Sequence, residues 1–400
     1  MKFALPVCLI FVLTIFTFGQ AQEKVLYSFG SIPNDGLYPS SVIPDADGNL
    51  YGTTTYGGTS NDGGAVFELS PQQDGTWVET ILYNFCSQVN CTDGENPLAG
   101  LVIDAAGNLY GTASLSYCTN GAGKCGGTAF ELSPPSLPGG TWSYSILYTF
   151  CSVFKDNACQ DGSEPNSQLI FDKSGNLYGT SGGGKGGLVF ELSPEVNGWT
   201  ESVVYDFCLK SSCPDGEAPM GGVAFDKAGN LYGTTQHGGR YRLGVVFELT
   251  QGNGGWTEAV LMSFYLYGSS LSPVSFDAAG NLYSTTLANA FQLNAKSHTQ
   301  GNRVFTAATG DYSVSGVLID AARNTLFGAN AVGGVDNGGT IWQVNPARQL
   351  SPLYNFCSVP NCTDGDGPAS SLIEDASGNI YGTTRAGGVY GNGVVFEVTP

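Results

Sequence analysis

The sequence predicts an all-β chain: a seven-bladed β-propeller of four-stranded antiparallel blades, closed by the N-terminal strand pairing into the last blade. Three observations carry this. The phrase Asp-x-x-Gly-Asn-Leu-Tyr-Gly-Thr recurs with its aromatic at Tyr51, Tyr110, Tyr178, Tyr232, Tyr283, Phe327 and Tyr381, at spacings of 44 to 68 residues. Each copy is followed by a glycine-rich stretch and an alternating segment such as Val66-Phe67-Glu68-Leu69 or Val395-Phe396-Glu397-Val398. Finally, Val25 to Phe29 reads as a fourth strand without a preceding three, while the seventh unit stops after three strands. Pairing the two ends supplies the missing strand and removes exposed sheet edges.

The unit has four strands: an apolar one ending in Asp (Leu101 to Asp104), the Leu-Tyr-Gly-Thr strand, the Val-Phe-Glu-Leu strand, and a strand of the form Leu-Tyr-x-Phe, as at Leu82 to Phe85 and Leu147 to Phe150. Period-two alternation, aromatic and β-branched enrichment, and Gly, Asn and Asp punctuation identify strands rather than helices. Composition agrees. Glycine fills 58 of 400 positions, and charged residues make up 12%, about half the usual share. Aromatics at 12% supply enough burial to offset ordering entropy. With 34 acidic against 15 basic residues, the net charge of −19 opposes a phosphate backbone and an anionic bilayer, so nucleic acid is excluded as a partner.

The chain opens on Lys2, an uncharged run from Phe3 to Phe18, and Gly19-Gln20-Ala21, which together read as a signal peptide over residues 1–21 with cleavage after Ala21. Residues 22–400 are then one propeller domain, with residues 25–29 completing the blade formed by 368–400. A secreted, periplasmic or cell-surface monomer without membrane insertion is expected. Ten cysteines follow the leader as five close pairs: Cys86 with Cys91, Cys118 with Cys125, Cys151 with Cys159, Cys208 with Cys213, and Cys357 with Cys362. On an exported chain these read as loop-closing disulfides.

In an up-and-down blade the connections one-to-two and three-to-four share a face; the two-to-three loops and blade crossovers share the other. The Asp-x-x-Gly-Asn connections are tight turns in which Asp caps backbone amides and Gly takes positive φ. The opposite face is elaborated. It carries four of the disulfide loops on crossovers, the fifth in the second blade's two-to-three loop, and paired glycines such as Gly238-Gly239 and Gly387-Gly388.

Gly-Asn-Leu-Tyr-Gly-Thr, the following Gly-Gly, Val-Phe-Glu-Leu and Asp-Gly-x-x-Pro together resemble the Gloeo-Verruco (GloVer) tandem repeat of bacterial exported proteins, over essentially the whole chain after the leader. The resemblance implies a bacterial surface or extracytoplasmic β-propeller and brings no catalytic residues with it. The sequence departs from the pattern at Ser284, which replaces glycine in blade five, and at Arg323-Asn324-Thr325-Leu326 in blade six, which inserts a residue.

Two groups of residues are candidates for binding. The motif Asp-Gly-x-x-Pro places Asp35, Asp93, Asp161, Asp215 and Asp364 before five inner strands, with Glu95, Glu164, Glu217 and Asp366 nearby. Either they form an acidic rim around a central channel, suited to Ca²⁺ or a hydroxyl-rich ligand, or each Asp builds its own turn; recurrence in every such blade favours the turn. No specific calcium motif is present, and no other cofactor is expected. The second group, His237, Arg240, Tyr241 and Arg242, is the dense basic cluster of an acidic protein, suited to clasping a carboxylate or stacking on a sugar. Blades five and six lack disulfide crossovers, which would leave an open groove beside it. The expected function is an exported binding module for a glycan or protein. A polysaccharide lyase or hydrolase, or a structural envelope or matrix protein, is the alternative.

Overall fold

The computed structural model describes residues 21–59, 62–118, 123–124, 126–137, 139–265, 270, 272–287, 289–294, 301–302, 313 and 315–400. Among these residues the chain forms seven antiparallel sheets arranged as the blades of a propeller. Blade one sets the pattern, with neighbouring strands Gly36–Pro44, Leu50–Gly57, Ala65–Pro71 and Trp77–Asn84 in chain order. The first strand of each blade lines a central channel and the fourth lies outermost. In blades three and seven the first strand is split, as Ser163–Pro165 with Ile170–Phe171 and as Asp366–Pro368 with Ile373–Glu374.

Each residue of the repeat has a physical task. In the first turn, Asp45 Oδ1 accepts the amides of Asp47 and Asn49 at 2.9 Å, and Oδ2 accepts the Asn49 side chain and the Tyr51 hydroxyl. The Asp104 and Asp375 turns repeat all four bonds. The repeated tyrosine therefore closes the turn that precedes it. Gly52 lies opposite Phe67, where a Cβ would come within 2.5 Å of the ring, so a side chain there would displace that ring. Thr53 Oγ1 reaches across to the Ala99 carbonyl of the next blade at 2.9 Å, and Thr234 and Thr285 make the same bond to Ser272 and Ser315.

The seams between blades are aromatic. The phenylalanine that ends one blade's fourth strand meets the third-strand phenylalanine of the next: Phe85 with Phe130, Phe150 with Phe190, Phe207 with Phe247, Phe264 with Phe291 and Phe356 with Phe396, at centroid separations of 4.8 to 5.7 Å. These are tilted or edge-on contacts, the favoured geometry for ring quadrupoles.

The ring closes as the sequence predicts. Gln22–Ser28 pairs antiparallel with Val394–Thr399, from Gln22 opposite Thr399 to Ser28 opposite Val394. The strand begins three residues before Val25 and ends one residue before Phe29. Phe29 instead turns inward, fully buried, and meets Phe67 of blade one at 5.1 Å, continuing the aromatic seam through the chain ends. Thr383 Oγ1 adds a bond to the Ser40 carbonyl at 3.1 Å.

The two irregular blades have local solutions. Ser284 is buried opposite Phe291 and donates its hydroxyl to the Pro273 carbonyl at 3.0 Å. Arg323, in the altered turn of blade six, pairs with Asp320 at 3.3 Å and with Glu374 of blade seven at 3.2 Å. Four disulfides join Cys86 to Cys91, Cys151 to Cys159, Cys208 to Cys213 and Cys357 to Cys362. Of the fifth expected pair, Cys118 with Cys125, the second cysteine lies outside the described residues, as do residues 1–20 of the expected leader. Among the described residues no helix is long and apolar enough to cross a membrane.

Candidate functional site

The loop-bearing face is built from crossovers and two-to-three loops that are bonded to each other. The Gly239 amide donates to the Cys213 carbonyl at 2.8 Å, and the Gly388 amide to the Cys362 carbonyl at 2.9 Å. Gly238, at φ +75°, sits where a Cβ would strike that same Cys213 carbonyl oxygen at 2.7 Å. The disulfide thus shapes a crossover onto which the glycine pair of the following blade docks.

The five aspartates of Asp-Gly-x-x-Pro are buried and turned into their own crossovers. Asp93 Oδ2 accepts the Tyr83 hydroxyl at 2.8 Å and the Ser87 amide at 2.9 Å, while Oδ1 accepts the Gln88 amide. Asp161 and Asp364 repeat the tyrosine and serine bonds. Asp215 accepts from Tyr205 and the Cys208 amide, and Asp35 from Tyr27, Gly30 and Ser31. This is turn-building geometry. The channel, a cavity of about 570 Å³, has no charged side chain among its described lining residues; Ser40, Gln168, Ser275 and Ser371 are among its polar ones.

A second carboxylate faces four of these aspartates across the seam, and sequence reasoning did not single it out. Glu79 accepts the Tyr27 hydroxyl at 3.1 Å beside Asp35; burial first, then the Asp35 charge, pushes it up to about 8. Glu23 beside Asp364, Glu201 beside Asp161 and Glu258 beside Asp215 are each pushed up to about 7, again by burial first and then the neighbouring aspartate. The signal was present as Trp77-x-Glu79, Trp199-x-Glu201 and Trp256-x-Glu258. In blade two the corresponding residue is Tyr144, which stacks on Tyr83 at 4.0 Å and donates to the Asp93 carbonyl.

His237, Arg240, Tyr241 and Arg242 all stand exposed on the loop face. His237 is anchored through its backbone, which exchanges hydrogen bonds with Glu217 of the crossover at 2.8 and 2.9 Å. The Arg240 guanidinium lies 5.4 Å from the Tyr241 ring centroid, and Tyr241 meets Tyr265 of the outer blade edge at 6.2 Å. Among the described residues neither Arg240 nor Arg242 enters an ion pair. The structure therefore places these four on one loop as a cationic and aromatic patch, packed on the crossover that carries the buried Asp215. Much of the groove expected beside it falls outside the described residues, including 303–312. Two cysteine–glutamate groups, Cys86 and Cys91 with Glu95 and Cys208 and Cys213 with Glu217, have their sulfurs in disulfides and offer no thiolate.

Comparison with known families finds a match to the Gloeobacter/Verrucomicrobia repeat over residues 12–158 and 118–294. No curated protein matches. Among solved structures, the extracellular domain of a one-component system from B. thetaiotaomicron is similar at 9% identity and TM-score 0.56, covering 94% of this chain and 40% of its own. An ancestral GH74 enzyme is similar at 12% identity and TM-score 0.56, covering 95% of this chain and 51% of its own. A protein from Lactobacillus plantarum is similar at 12% identity and TM-score 0.52, with 87% and 89% covered. This chain therefore spans 40% and 51% of the first two, and at these identities the likeness is one of fold.

Proposed function

We propose, from a chain that belongs to the Gloeobacter/Verrucomicrobia repeat family, that this propeller is an exported binding module whose loop-rich face holds a glycan. The observation that carries this reading is the exposed patch of Arg240, Tyr241 and Arg242 on a face of disulfide-shaped loops. An aromatic ring stacks on the apolar face of a sugar, and guanidinium forks donate to its oxygens in fixed directions. Four described disulfides fit an oxidising compartment. Paired carboxylates exist, but they recur at four seams, whereas glycoside hydrolysis asks for one pair beside one scissile bond. Binding without turnover is the reading.

Thermal shift with a panel of plant and microbial polysaccharides, with Ca²⁺ and with chelator, is expected to raise the melting temperature for at least one glycan. The double variant Arg240→Ala with Arg242→Ala is expected to weaken that glycan roughly tenfold while melting like the parent. Unchanged affinity for every bound polysaccharide would remove these arginines from the site. Capture of a protein and of no polysaccharide would replace the ligand class.

A further inference from the structure

The seam between blades seven and one carries a second patch that breaks the repeat. At the fourth position of Asp-Gly-x-x-Pro every described crossover adopts the left-handed region: Asn96 at φ +54°, Glu164 at +51°, Ala218 at +58° and Gly367 at +66°. Blade one places Tyr38 there, at φ +57°. The crossover imposes that conformation, and a bulky aromatic is the residue type least suited to it, so the turn itself gives no reason for a tyrosine there. Its amide is held by the Asn392 carbonyl at 3.0 Å, across the chain closure.

Two residues meet the Tyr38 ring, and a third stands on the loop whose Asn392 carbonyl holds its amide. Tyr56, from the second strand of blade one, meets it edge-on at 5.8 Å. Arg385, from the second strand of blade seven, places its guanidinium 6.0 Å from the Tyr38 ring centroid. Tyr390 projects from the Gly387-Gly388 loop at 53% exposure, the same position in its repeat that Tyr241 holds in blade four. Arg385 is exposed and enters no ion pair among the described residues. The loop acid Asp62 is engaged by the Gly57 amide. Two residues along the strand from Tyr38, Ser40 begins the uncharged channel lining.

We infer that Tyr38, Tyr56, Tyr390 and Arg385 form a subsite for an uncharged polysaccharide at the mouth of the channel. Tyrosine rings supply stacking surfaces, and Arg385, steadied by the Tyr38 ring, donates to hydroxyl and ring oxygens. Charge selects the class. A chain at −19 repels polyanions at long range, and the adjoining channel offers no charged side chain to reward a charged ligand. This subsite rests on the glycan-binding reading but not on Arg240 or Arg242.

Tyr38→Asn tests it cleanly, because asparagine already occupies the same left-handed position at Asn96, so folding is expected to be kept or improved. Binding of xyloglucan, glucomannan and dextran as neutral probes, and polygalacturonate as the anionic one, is measured for wild type, Tyr38→Asn, Arg385→Ala and the Arg240→Ala with Arg242→Ala pair. A neutral probe is expected to bind wild type and to weaken about tenfold or more in Tyr38→Asn and in Arg385→Ala, at unchanged melting temperature. Equal affinity in those two variants overturns the subsite, as does wild type binding only polygalacturonate or none of the four. Loss in the Arg240 and Arg242 pair alone overturns the subsite and keeps the blade-four reading. Loss in Tyr38→Asn and Arg385→Ala, with the Arg240 and Arg242 pair unaffected, supports the subsite and overturns the blade-four one.

Discussion

Expression from residue 30 onward, without the Gln22–Ser28 strand and Phe29, is expected to yield a chain that does not fold cooperatively. The deletion unpairs the outer side of Val394–Thr399, whose other side stays bonded to Ile380–Ala386, and leaves it as an open apolar edge, a template for aggregation. It also removes Leu26, at 7% exposure, and Phe29, at 0%, from the core they share with Phe67 and Leu69. Loss of a single buried phenylalanine costs about 3–5 kcal/mol, and total stability for a domain is about 5–15 kcal/mol. Two buried side chains plus a full strand ladder therefore consume most or all of it. Circular dichroism melts and size-exclusion chromatography check this; a soluble monomer with a sharp thermal transition would show that the seven blades stand without closure. Phe29→Ala alone is expected to fold and to melt earlier.

Stability is expected to fall as pH rises from about 5 to about 8.5, through the four seam carboxyls. Glu79, raised to about 8, and Glu23, Glu201 and Glu258, raised to about 7, bind protons more tightly folded than unfolded. For a raised pKa the contribution is fully present below the unfolded value near 4.5 and is lost as pH passes the folded value. The turn aspartates act in the other direction. Burial opposes ionisation at Asp104, Asp226, Asp277 and Asp375, but hydrogen bonds from the partner asparagine and backbone outweigh it and hold these carboxyls below 3.8. Their contribution is present above that value and disappears in stronger acid. The two sets place the greatest stability at about pH 4 to 4.5, above the range of the turn aspartates and at or below the unfolded value of the glutamates. A drop in melting temperature of roughly 5 °C between pH 5.5 and 8.5 is expected, modest because partial exposure screens the pairs. The fourfold variant Glu23→Gln, Glu79→Gln, Glu201→Gln and Glu258→Gln should flatten that slope. A slope unchanged in that variant would assign the pH dependence to general charge repulsion instead.

The candidate site was half legible. Arg240, Tyr241 and Arg242 were visible because they interrupt a repeat otherwise poor in cations. The Asp-Gly-x-x-Pro aspartates were visible as a motif, while their direction depended on Tyr83, Ser87 and their counterparts, which the motif does not include. Glu79 and its counterparts were missed because each seam brings together residues from two blades, such as Tyr27 and Glu79, 52 positions apart. Tyr38 was hidden for a different reason: its left-handed φ belongs to the backbone of the crossover, and Arg385 reaches it only because the chain ends meet.

Sequence alone determined the strands, their order within a blade, the turns and the number of blades, since these rest on bonds within a few residues or between adjacent strands, and a repeat writes such bonds out once per unit. What faces what across a seam, which acids share a proton-rich environment, and which tyrosine meets which arginine were decided only by the closed ring. Those contacts join residues from separate repeats, 343 positions apart in the case of Thr383 and Ser40, and packing geometry rather than local pattern sets them.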